Sequence, residues 1–64
     1  MMPETELEEL RQKYANKLVF VVINNPYHPI ADRGLVTFID DFGRLYGTWG
    51  DQAAVPGIDY IELL

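Results

Sequence analysis

The chain has no cysteine, so neither a disulfide framework nor a cysteine zinc site supports its fold, and nothing in it requires an oxidising compartment. It has one histidine, His28, which finds no second His or Cys to share a metal or assist as a base; no metal or cofactor is expected. Positive charge is scarce, with five Lys and Arg against ten Asp and Glu and a net charge of −5. Such a surface repels phosphate and offers no contiguous basic patch, so direct DNA or RNA binding is not expected. An acidic surface does attract basic protein partners. No apolar run approaches the roughly 18 residues of a membrane span, and the first residues are acidic where a signal peptide is basic. The expectation is a cytoplasmic protein without membrane association.

Catalytic signatures are missing as well. There is no Ser/His/Asp spacing and no Gly-rich phosphate loop. Asp40 and Asp41 adjoin, but neighbouring strand residues point to opposite faces and a turn is open to water, so nothing raises either pKa toward a general-acid role. An enzyme is therefore not expected. At 64 residues there is room for one domain, and a chain of that size buries roughly 60% of its unfolded surface, enough for a small core.

What is present is organised around Gly34 to Trp49. From Leu35 to Ile39 every residue is β-branched, aromatic or leucine, with two overlapping period-2 sets, which reads as a strand. Asp40-Asp41-Phe42-Gly43 makes a turn, because Asp carboxylates accept from nearby backbone N–H groups and Gly43 tolerates positive φ. Leu45, Gly47 and Trp49 then alternate with Arg44, Tyr46 and Thr48 as a return strand. A mid-strand glycine such as Gly47 implies that a ring or another backbone packs closely over it, or that the strand bends.

Residues 1–16 carry a helix signature. Pro3 lies near the start, Thr5 and Glu8 are spaced as a capping box, and Glu4, Glu6, Glu8 and Glu9 sit at the positive end of the macrodipole. Leu7, Leu10 and Tyr14 form a narrow apolar stripe that must be covered, either by the rest of the chain or in a homodimer. Leu18 to Ile23 is six consecutive apolar residues and reads as a central strand covered on both faces, with the helix as one candidate cover. Asn24 to Arg33 reads as a long loop in which Pro26 and Pro29 bracket Tyr27 and His28 and restrict them. Gly50-Asp51 signals a hairpin turn, Gln52 to Val55 a fourth strand, Pro56-Gly57 a tight turn and Tyr60 to Leu64 a fifth strand. The reading is one domain over 1–64, mainly β: a helix at 1–16 and a small five-stranded barrel at 17–64. Closure is favoured over an open sheet because open edges would invite aggregation.

Asn-Pro-Tyr-x-Pro at 25–29, Gly-x-Val-x-x-x-Asp-Asp-x-Gly at 34–43, Trp49 and Pro-Gly-x-Asp at 56–59 occur in succession. In this order the chain resembles an uncharacterised family of small bacterial proteins, a domain of unknown function common on phages and other mobile elements, with an SH3-like barrel as its predicted fold. The resemblance runs from about Leu18 to Leu64 and implies that fold and a mobile-element origin. It carries no catalytic residue. Two differences fall on loops that flank the groove of SH3-like barrels. The family usually has a longer loop with Pro-Pro-Gly where this chain has Ala31-Asp32-Arg33, and a longer turn where it has Gly50-Asp51-Gln52.

Two functions fit these features. One is a non-enzymatic protein-interaction module whose aromatic groove uses Tyr27, His28, Tyr46 and Trp49 to hold an extended or proline-rich segment, since such rings give large contact area at low entropy cost. Trp49 equally suits the centre of the core, and Tyr46 lies on the opposite strand face, so the two cannot both be core residues. The alternative is an acidic inhibitor of a host nucleic-acid-binding protein, of the anti-CRISPR or anti-restriction type, presenting Asp40, Asp41, Asp51 and Asp59 from turns together with the helix glutamates. Salt separates the two, because carboxylate mimicry weakens with ionic strength and an aromatic groove does not.

Overall fold

Six consecutive apolar residues with no helical periodicity form the strand on which the sheet is built. The computed structural model describes all 64 residues, Met1–Leu64. Its elements are α1 (Glu4–Tyr14), β1 (Leu18–Ile23), β2 (Ile30–Ile39), β3 (Leu45–Gly47), β4 (Gly50–Ala54) and β5 (Tyr60–Leu63). The strands make one antiparallel sheet in the order β4-β3-β2-β1-β5.

β2 holds the sheet together. Its first half, Ile30 to Leu35, pairs with β1, and its second half, Val36 to Ile39, pairs with β3. A register shift between Val36 and Phe38 marks where it bends. The bend curls the sheet so that β1 and β4 come within 8 Å although they are not hydrogen-bonded neighbours. β4 and β5 are not paired, so at the level of hydrogen bonds the sheet is open where a closed barrel is expected from the sequence.

The concave side of the curl holds the core. Val19, Val21, Val36 and Leu45 are fully buried, with Ile23, Ile39, Trp49 and Ala54 around them. Each aliphatic side chain so buried contributes about 1.5–3 kcal/mol. Leu7 and Tyr14 of α1 complete this cluster and Leu10 packs half-buried against it, so the helix stripe faces this chain's own sheet. A homodimer through Leu7, Leu10 and Tyr14 would have to undo that packing.

The helix is pinned at both ends. The Met2 N–H donates to Asp41 O at 3.1 Å, and the Arg11 guanidinium lies 3.6 Å from the Asp41 carboxylate and 3.4 Å from Ile39 O. Asn16, with φ 61°, turns the chain into β1, as short polar side chains tolerate the left-handed region. The expected capping box does not form. Pro3 occupies the cap position with no side-chain cap, and Thr5 lies inside the first turn, because proline pre-sets φ for a helix start two residues earlier.

Three other boundaries differ from the expectation. Ala31, Asp32 and Arg33 belong to β2 rather than to a loop, paired with Val22, Val21 and Phe20. The β3–β4 hairpin turns at Thr48-Trp49, with Gly47 opposite Gly50, rather than at Gly50-Asp51. Finally, β1 is covered on one face only: Val19, Val21 and Ile23 are buried, while Leu18 is exposed and Phe20 and Val22 are half-covered.

Candidate functional site

The β1–β2 loop, Asn24 to Pro29, and the β3–β4 turn lie at the same end of the curled sheet. Between them is a groove of about 470 Å³. His28, Pro29 and Ile30 form one wall, Asp51 and Gln52 the other, and the rim of Trp49 lies at the base.

Trp49 is placed by two glycines. Its six-membered ring lies against Gly34 and Gly47, where any side chain would collide with it. That contact folds the indole under the sheet from a turn position and leaves it only 6% exposed. Its Nε1–H donates to Gln52 O at 2.8 Å, satisfying the one polar atom of the ring.

The loop is held by side-chain amides. Asn25 Oδ1 accepts from Tyr27 N at 2.8 Å and His28 N at 3.2 Å, an Asx turn closed by the Asn-Pro sequence. Asn25 Nδ2 donates to Gln52 Oε1 at 2.8 Å, and Gln52 Nε2 donates to His28 O at 2.7 Å. This Asn25–Gln52 clasp ties the loop to β4 and sets the width of the groove. Sequence reading missed both residues. Asn25-Pro26 is a visible turn signal, but nothing in the sequence pairs it with Gln52.

Of the expected aromatic set, the structure brings His28 and Trp49 to the groove. Tyr27 extends from the loop and is 93% exposed. Tyr46 lies elsewhere, half-buried on β3, with its ring 5.9 Å from Phe38 and its hydroxyl donating to Asp40 at 3.3 Å.

The groove is acidic. Asp32 and Asp51 line it, both exposed and neither in an ion pair, and no Lys or Arg shares it. Asp40, Asp41 and Asp59 are each engaged by other groups of the chain. Asp40 accepts from Phe42 N at 3.0 Å, Arg44 N at 2.9 Å and Arg44 Nε at 2.6 Å. Partial burial pushes its pKa up, but these N–H donors and the Arg44 guanidinium outweigh that and hold it below the ordinary carboxylate value. Asp41 meets Arg11, and Asp59 Oδ2 accepts from Val55 N at 2.8 Å to close the turn before β5. Asp51 also stands at the opposite end of the β3–β4 hairpin from Asp40 and Asp41.

His, Cys, Asp and Glu side chains gather nowhere in a group of three or more that could hold a metal ion. No helix is long and apolar enough to cross a membrane. No family model, curated protein or solved structure matches the chain.

Proposed function

We propose that this chain is an SH3-like barrel acting as a non-enzymatic protein-interaction module, and that its groove over Trp49 takes an extended peptide carrying a basic side chain. The strand order, the bent β2 shared by two half-sheets and the short turn before β5 support the barrel reading. The observation that carries the function is the groove itself. The thin exposed edge of Trp49, a proline wall and two carboxylates free of ion pairs form a site in which charge favours a Lys or Arg head whose stem lies along the wall. The Asn25–Gln52 clasp holds the loop in place before any ligand arrives, which lowers the entropy lost on binding.

The test is selection of peptides from a random library on the full chain, followed by nuclear magnetic resonance titration. The expected result is enrichment of peptides with Lys or Arg, whose shifts concentrate on His28, Asp32, Asp51, Gln52 and the Trp49 indole N–H. Asp32→Asn with Asp51→Asn then weakens binding with the fold intact. Shifts confined to another surface, or selected peptides that are acidic, would overturn the reading.

A further inference from the structure

The uncovered face of β1 points to a second copy of this chain. In an antiparallel sheet, directly paired residues share a face, so the register of β1 with β2 and β5 lays out the convex surface row by row. Leu18 is flanked by Leu35 on β2 and by Leu64, whose N–H donates to Leu18 O at 3.1 Å. Two residues on, Phe20 is flanked by Arg33 and Glu62. Next, Val22 is flanked by Ala31 and Tyr60, and the Tyr60 ring stands edge-on to Phe20 at 6.5 Å. Leu18 is 58% exposed, Tyr60 54% and Leu64 60%. The helix does not reach this side, because its buried residues belong to the concave core. The surface meets the proposed peptide groove only at Ala31.

Charge selects the occupant. The face carries one cation and one anion, on opposite sides of Phe20, and neither side chain is in an ion pair within the chain. It is therefore neutral on a molecule whose net charge is −5. When two copies stack these faces about a twofold axis lying along β1, β2 of each lies over β5 of the other. Phe20 then meets the partner's Phe20, and Arg33 of each copy meets the partner's Glu62, two ion pairs around an apolar centre. An axis at right angles to β1 would set Arg33 against the partner's Arg33, so the same pattern excludes that orientation. Three strands about 4.8 Å apart and five residues of about 3.3 Å give a face of roughly 240 Å² in plan, well under the roughly 800 Å² per partner of a standard interface, so the association is weak, on the order of millimolar.

Sedimentation equilibrium of the full chain at concentrations up to about 1 mM tests this. The expected result is a monomer–dimer equilibrium. Arg33→Glu alone and Glu62→Arg alone each raise the dissociation constant at least about tenfold, because each places like charges together twice per dimer. Mixing the two single variants restores a dimer, now a heterodimer, because every facing pair is again opposite in sign. Leu18→Glu, at a position already exposed, likewise gives monomer with an unchanged circular dichroism spectrum. A wild-type chain that stays monomeric throughout overturns the proposal. So do charge reversals that dimerise as the wild type does, and folded single variants whose mixture does not associate.

Discussion

The six-membered ring of Trp49 occupies the space that a side chain on Gly47 would need, with Trp49 Cε3 2.7 Å from where that Cβ would stand and the Leu35 carbonyl closing the other side. A backbone oxygen cannot swing away as a flexible side chain does. Gly47→Ala should therefore destabilise the domain by about 3 kcal/mol, a large fraction of what so small a chain has. Gly34→Ala meets the same ring at 2.8 Å and should act in the same direction. Urea unfolding followed by the fluorescence of the single tryptophan measures both. Wild-type stability in Gly47→Ala would mean that the indole is free to move.

This contact shows which parts of the fold are legible in the sequence. A glycine in mid-strand already implies a ring or backbone pressed against it, and both are there at Gly47. The Asp40 to Gly43 turn is equally legible, because its chemistry is local: Asp40 collects the N–H groups of its own turn and Gly43 takes φ 80°. The hairpin turn at Thr48-Trp49 is not legible, since Gly50-Asp51 is the stronger local signal and only the tertiary need to bury Trp49 moves the turn earlier. Ala31-Asp32-Arg33 looks like a loop because it lacks the apolar alternation of a strand, yet it is paired with β1. The groove's position between the β1–β2 loop and the residues near Gly50 is foreshadowed, but the Asn25–Gln52 clasp spans 27 residues and leaves no local trace.

Leu7 is buried against the core while Leu10, three residues on, is only half-covered. Leu7→Ala should cost about 2–4 kcal/mol and Leu10→Ala about 1 kcal/mol, following the volume each removes from packed surroundings. Thermal unfolding by circular dichroism compares them. Equal and negligible losses would show that α1 docks without contributing to the domain.

The Asp40 carboxylate has its pKa held below the ordinary carboxylate value in the folded chain. A depressed folded pKa means that the associated stability is fully present above the unfolded value, about 4, and is lost as pH falls through the folded one. Unfolding midpoints should thus fall on acidification below about pH 4, and Asp40→Asn should flatten that acid limb while lowering stability at neutral pH. An acid limb unchanged in Asp40→Asn would assign it to the other carboxylates.

Gln52 faces the loop with both ends of its amide, accepting from Asn25 Nδ2 and donating to His28 O. A neutral hydrogen bond of this kind contributes about 1 kcal/mol, small against the whole fold but large against the opening of one loop. Gln52→Ala should therefore leave the melting temperature within a few degrees of wild type while the loop opens on the order of tenfold more often. Hydrogen exchange at the Tyr27 and His28 amides reads that opening, because both donate to Asn25 Oδ1, the side chain whose amide Gln52 anchors. Asn25→Ala, which removes those acceptors as well as the link to Gln52, should accelerate exchange further. If Gln52→Ala leaves exchange unchanged, Pro26 and Pro29 alone hold the loop, and the groove owes its shape to backbone restriction instead of the clasp.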